Sequence, residues 1–177
     1  FFIYLFLAVF IAGLMTGRTP ELFGRKIEVT EIKLLALVIL LQPVVILSLT
    51  AIAIAFPSMT GNSNPAFHGI SQVFYEYVSA YANNGSGFEG LGDNTLWWNL
   101  SASVALLAGR YSVLIIPVLI AVSLATKPQA AESKGSLQIE SPTFALTLIG
   151  IVLILTLLQF MPVLVIGPIA DYLSIKV

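Results

Sequence analysis

Apolar positions along the chain gather into long blocks instead of alternating with polar ones. Phe1–Met15 is almost wholly apolar, Leu34–Phe56 is an uncharged run of 23 residues, and Leu96–Ala125 and Thr143–Ile166 form two further blocks. A 23-residue helix measures about 34 Å at 1.5 Å per residue, enough for one crossing of a bilayer core. The first block is too short to cross alone and predicts the tail of a longer helix. Pro43 sits near the middle of the second block, which predicts a kink whose freed carbonyl is taken up by a neighbouring helix or side chain. Arg110 and Pro117 interrupt the third block, Pro162 breaks the fourth late, and Gly167-Pro168 predicts its end.

The segment 57–95 is too long for a simple connection and too apolar for a solvated loop. Within it Ile70, Val73, Phe74, Tyr75, Tyr77, Val78 and Tyr81 are spaced for a helix over 70–82, with Asn64-Pro65 and Gly69 as start signals. Thirteen residues give about 20 Å of helix, roughly two-thirds of the hydrocarbon thickness. Such a helix is interfacial or re-entrant. It is followed by Asn83-Asn84-Gly85-Ser86-Gly87-Phe88-Glu89-Gly90-Leu91-Gly92, a polar stretch dense in glycine. A re-entrant helix leading into extended glycine-rich backbone is how pore loops present carbonyl oxygens to a dehydrated cation. The negative end of the helix dipole favours a cation at the same point. An external turn built from the same glycines and asparagines is the competing reading; the short helix and the two flanking spans favour the pore loop. The predicted fold class is an all-α integral membrane protein, a helix–re-entrant pore loop–helix unit of potassium-channel-like order with flanking transmembrane helices.

Composition changes the picture by exclusion. The chain is 58% hydrophobic and 10% charged, against about 25% charged residues in soluble domains. That supply of charge cannot cover a water-soluble globule, so an ordinary soluble enzyme, a disordered tail and a nucleic-acid binder are excluded. The lipid bilayer is the expected surrounding. The absence of cysteine removes disulfides, thiolate nucleophiles and cysteine metal sites.

The few charges carry orientation. Arg18, Arg25, Lys26 and Lys33 lie between the first two blocks and Lys127 and Lys134 between the last two, whereas 57–95 holds only Glu76, Glu89 and Asp93. The positive-inside rule places the first and third connections (18–33 and 126–142) in the cytoplasm and the second outside. Trp97 and Trp98 open the third span where an interfacial aromatic belt is expected.

Several motifs resemble the potassium-binding A subunit family, KdpA, of bacterial Kdp-type potassium-transporting ATPases. They are Ile11-Ala12-Gly13-Leu14-Met15-Thr16-Gly17-Arg18-Thr19-Pro20-Glu21, Gly24-Arg25-Lys26-Ile27, Asn64-Pro65-Ala66-Phe67-His68-Gly69, the stretch Asn83 to Leu91, Gly109-Arg110-Tyr111 and Gly167-Pro168-Ile169-Ala170-Asp171-Tyr172-Leu173. They run in the family's order over essentially the whole chain. The family has four helix–pore-loop–helix repeats with an extra helix at each end. The resemblance implies the C-terminal portion of such a subunit: the end of a third-repeat helix (1–17), the complete fourth repeat (34–125, with pore helix and filter about 69–92), and a final helix and tail (143–177). With no initiator Met ahead of Phe1, further chain upstream is the expectation.

The resemblance implies a potassium filter quarter at Asn83, Asn84, Gly85 and Ser86, with Gly85 at the filter glycine. Potassium is then the transported ligand, and no cofactor is implied. The implied partners are a catalytic P-type ATPase subunit and small accessory membrane subunits, in a bacterial inner membrane. Gly87 and Glu89 stand where the resemblance implies small residues such as alanine, and Glu89 departs from that pattern at the outer mouth. Arg110 lies mid-block, where a charge faces a cavity or a partner. By resemblance it gates the ion path below the filter; a structural pairing with loop carbonyls or a carboxylate is the alternative.

Glu76 reads as a hydrogen-bonded structural carboxylate, His68 as a cap or external-loop residue, and Gln42 and Gln159 as interhelical hydrogen-bonding groups. Gly85-Ser86-Gly87 has the look of a nucleophile turn, but the sole histidine lies in the outer segment, away from any buried dyad. No phosphate-binding glycine-lysine motif and no Asp-Lys-Thr-Gly is present, so the chain itself is not expected to hydrolyse ATP. Two alternatives stay open: a repeat of a Trk- or Ktr-type gradient-driven potassium transporter, and a non-transporting assembly fragment.

Overall fold

A computed structural model describes residues 1–64, 69–129, 139 and 141–175. In chain order the elements are α1 (Phe2–Met15), β1 (Glu21–Leu22), β2 (Arg25–Lys26), α2 (Val29–Ala55), α3 (Pro57–Thr60), α4 (Ile70–Ala82), α5 (Leu96–Ala125) and α6 (Pro142–Ile175). The fold is all-α apart from one two-stranded hairpin. Three helices are long and apolar enough to cross a membrane, Val29–Ala55, Leu96–Ala125 and Pro142–Leu173. The start signal at Pro65, the cap or external-loop residue His68, and most of the 126–142 connection with Lys134 lie outside the described residues.

The residues divide into two compact units, Phe1–Val38 with Leu114–Leu158, and Ile39–Val113 with Gln159–Val177. In the first, the segment expected as a plain loop holds the hairpin, pairing Glu21 with Lys26 and Leu22 with Arg25. Its tip, Phe23-Gly24, has positive φ at both residues, 54° and 70°, the backbone that a two-residue hairpin turn demands. Leu22 is buried while Phe23 faces outward. The hairpin is held to the end of α5 by Arg25, whose Nη1 donates to the Leu124 carbonyl at 2.5 Å.

Helix α2 begins five residues ahead of the apolar block, at Val29 rather than Leu34, because Glu31 folds back to cap it. The Glu31 carboxylate accepts the Glu28 N–H at 2.8 Å and the Ser123 hydroxyl. Lys127 Nζ lies 2.8 Å from the same carboxylate and 3.1 Å from Glu28, and donates to the Lys26 carbonyl at 3.1 Å. Burial acts to lower the Lys127 pKa, but hydrogen bonds to Glu31 and Glu28 outweigh it and hold the ammonium above its ordinary range.

The second unit is built around α4. Val73, Phe74, Tyr77 and Tyr81 fall on one helical face and pack with Ile46 and Ala53 of α2 and Trp98 and Ala105 of α5. Phe160 of α6 meets Phe74 edge-on, with ring centroids 5.6 Å apart. Tyr77 O–H donates to Ser101 Oγ at 2.9 Å inside this core. Trp98 corrects an expectation. Its indole is 1% exposed and donates to the Thr60 carbonyl at 2.8 Å, so it is a core residue and not an interfacial anchor. Tyr77, 5.4 Å away, and the chain turning back through α3 enclose it.

Both expectations at prolines meet a tertiary answer. Pro43 cannot donate to the carbonyl of residue 39, and Gln159 Nε2 of α6 reaches that Ile39 carbonyl at 3.3 Å. Helix α6 does not end at Gly167-Pro168 but continues through both prolines to Ile175. A proline inside an apolar helix removes one bond that neighbours can replace, and a Cβ at Gly167 would lie 3.0 Å from Ile70, so the glycine serves close packing rather than termination.

Two outcomes follow from these contacts. Replacing Gln159 by Leu is expected to lower the stability of the complete protein by about 1 kcal/mol, and the cost should vanish in the Pro43→Ala background, where the helix regains its own bond. Thermal unfolding of the four members of the cycle measures this. Lys127→Met should cost about 2 kcal/mol by leaving a buried carboxylate unpaired, with most of it recovered by adding Glu31→Gln. Because the Lys127 pKa is raised on folding, the wild-type advantage is complete below the unfolded lysine pKa, about 10.4, and fades as pH rises through the folded value.

Candidate functional site

The candidate site forms where α4 ends. Asn83 caps the helix in the left-handed region (φ 58°), its N–H bonding to the Ala80 carbonyl at 3.1 Å. Asparagine is among the few side chains that accept this backbone. The Asn83 amide then ties two helices together. Nδ2 donates to the Tyr81 carbonyl at 2.9 Å and to the Leu106 carbonyl of α5 at 3.3 Å. Oδ1 accepts Arg110 Nε at 2.8 Å.

This contact requires Gly109. A Cβ there would lie 2.0 Å from the Tyr81 carbonyl oxygen and 2.8 Å from its carbon. The missing side chain lets the α5 backbone touch the end of α4, which puts Arg110 within reach of Asn83.

Beyond Asn83 the chain doubles back over α4. Asn84 Oδ1 accepts the Ser86 N–H at 3.0 Å and the Ser86 hydroxyl at 3.1 Å, the side-chain-to-backbone turn that Asn favours. Gly85 between them sits at φ +75°, with open space where a Cβ would project. The single hydroxyl proton of Ser79 of α4 lies between two acceptors, Asn84 Oδ1 and the Ser86 carbonyl. Tyr75 OH lies 2.9 Å from Ser86 Oγ, and its ring meets Phe88 edge-on at 5.7 Å. Glu76 accepts the Phe88 N–H at 3.3 Å, in keeping with a structural carboxylate.

A cavity of about 340 Å³ opens beside this turn, lined by Asn83, Gly85, Ser86, Glu76, Asp93 and Arg110 among others. Of the sequence-predicted residues, Asn83, Gly85, Ser86 and Arg110 therefore share one polar cavity, while Asn84 turns its amide toward Ser79 and Ser86. Glu89 is exposed and does not line the cavity, and His68 lies outside the described residues. Sequence reasoning missed Ser79 and Tyr75. The signal available was their spacing: Tyr75 and Ser79 are four apart on one helix face, directly ahead of the glycine-rich turn. No group of three or more His, Cys, Asp or Glu able to hold a metal occurs among the described residues.

Three membrane-crossing helices, with a polar turn folded back on a helix too short to cross, define an all-α protein of the membrane-embedded class. Residues 1–173 match the family described as potassium-transporting ATPase A subunit, KdpA, and the chain belongs to that family. It is 57% identical over 171 residues, 96% of its length, to the potassium-transporting ATPase potassium-binding subunit of Nostoc sp.. The subunits of the same name from Geobacillus kaustophilus and Flavobacterium psychrophilum are 51% and 43% identical, over 98% and 99% of this chain. The chain spans 30% to 33% of the length of these relatives.

Gly109→Ala is expected to drive α5 away from the Tyr81 carbonyl and cost about 1–3 kcal/mol. A lowered unfolding temperature of the complete protein, larger than that for alanine placed at the open Gly92, is the outcome to measure.

Proposed function

We propose that the chain is part of the potassium-binding subunit of an ATP-driven importer in the bacterial inner membrane, and that Asn83–Ser86 supplies one quarter of its selectivity filter. The observation that carries this reading is the turn itself. Non-helical backbone is held at the C-terminal end of a helix too short to cross, against a polar cavity. Such backbone is tolerated at membrane depth only where protein encloses it or water reaches it. The C-terminal end of α4 carries a partial negative charge that favours a cation. Backbone carbonyls then take the place of the water that potassium sheds.

Arg110 faces the same cavity and is fixed by Asn83. In this proposal its positive charge opposes straight passage of the ion and favours a sideways route toward the ATP-hydrolysing subunit. Catalysis belongs to that partner; the relatives are potassium-binding subunits of a potassium-transporting ATPase. Small accessory membrane subunits complete the proposed complex. The absence of lysine and arginine from 57–95 suits an outer face that receives cations. Family membership favours this reading over a gradient-driven transporter.

The test is Gly85→Asp in the assembled transporter. Aspartate tolerates the left-handed backbone, and nothing lies within 4 Å of the new Cβ, so the complex should still assemble. The carboxylate beside the turn should weaken discrimination for potassium over sodium and rubidium by at least about tenfold, measured as ion-stimulated ATP hydrolysis. Unaltered discrimination would remove this turn from the filter.

A further inference from the structure

Ser79, which lines the cavity together with the turn, also bears on what fixes the turn's shape. Gly85 is conformationally free, and a free turn can close around ions that differ by a fraction of an ångström in radius. Something packed against it has to hold its width. Ser79 and Tyr75 of α4 do so. Ser79 is 2% exposed, and its hydroxyl meets both ends of the turn, Asn84 Oδ1 and the Ser86 carbonyl. It also lies 3.2 Å from Ser86 Oγ. Tyr75, one helical turn earlier on the same face, reaches Ser86 Oγ at 2.9 Å.

The proton arithmetic of this group is directional. A hydroxyl gives one proton and accepts up to two. Tyr75 O–H can donate to Ser86, Ser86 O–H to Asn84 Oδ1 or Ser79, and Ser79 O–H to the remaining acceptor. Each bond polarises the next, and the chain ends on the turn itself. The Ser86 carbonyl keeps a second lone pair, so being held by Ser79 does not remove it from service to an ion.

We infer that Ser79 and Tyr75 are positioning residues for ion discrimination: from α4 they fix the separation of Asn84 and Ser86, and so the width that the Gly85 backbone presents to a monovalent cation. This rests on the filter reading above, and a separate outcome tests each.

The experiment places Ser79→Ala, Ser79→Thr and Tyr75→Phe in the full-length subunit of the assembled transporter. Potassium-, rubidium- and sodium-stimulated ATP hydrolysis are compared with assembly and unfolding temperature. Ser79→Ala should lower the potassium-to-sodium preference about tenfold, the scale of one lost buried hydrogen bond. Ser79→Thr, which keeps the hydroxyl, should restore it. Tyr75→Phe should move the preference in the same direction by about threefold without loss of assembly, because the ring and its Phe88 contact remain and Tyr75 is half-exposed.

If Gly85→Asp alters the preference but Ser79→Ala and Tyr75→Phe do not, the positioning role is overturned and the filter stands. If Gly85→Asp also leaves it unchanged, the filter reading itself falls. A loss of preference that follows unfolding temperature alone and is not rescued by threonine overturns positioning in favour of a structural role. Should Ser79→Ala fail to assemble, Tyr75→Phe decides by the same criterion.

Discussion

Backbone polar groups that leave a helix in an apolar surrounding must find partners within the protein, since no water is there to replace them. Much of the second unit answers that constraint. Pro43 frees the Ile39 carbonyl and Gln159 takes it up. The chain leaving α2 through α3 exposes the Thr60 carbonyl, and the Trp98 indole takes it. Where α4 stops, Asn83 closes the helix end and binds the Leu106 carbonyl of α5. The first two of these departures are each matched by a side chain on another element, and the third by the helix's own cap residue.

The same constraint shapes the polar turn. A glycine-rich segment in water would sample many conformations; this one is held by Asn84 from within and by Tyr75, Glu76 and Ser79 from α4. Charge is treated alike in the first unit, where the buried Glu31 collects a lysine, a serine hydroxyl and its own capping bond. With so few charges available, the buried Glu31 and Arg110, placed midway along an apolar block, each bind a fixed partner. Glu31 fixes the start of α2 and Arg110 fixes the start of the turn, so scarce charge marks the points where helix gives way to irregular chain.

Much of the fold was legible in the residues. The bounds of α4 and α5 follow from apolar spacing and from the glycines and asparagines that interrupt it, because helix periodicity and capping are local properties. The polar turn and the unusual position of Arg110 could be read for the same reason. What misled were residues whose meaning depends on a neighbour. Trp98 has the position of an interfacial anchor but the surroundings of a core residue. Gly167-Pro168 looks like a stop until Ile70 is placed against the glycine. Leu22-Phe23-Gly24-Arg25 contains no Asn-Gly or Asp-Gly turn, yet it folds as a hairpin.

The sequence by itself determined that the chain is helical, suited to lipid and interrupted by one polar turn after a short helix. Hydropathy and helical period act over a few residues and need no partner to be expressed. Only the tertiary structure decided that Arg110 meets Asn83, that Gly109 makes this possible, and that Ser79 and Tyr75 of α4 reach Asn84 and Ser86. A hydrogen bond requires two atoms within about 3 Å, and whether residues 27 positions apart, like Asn83 and Arg110, come that close is set by how the helices pack.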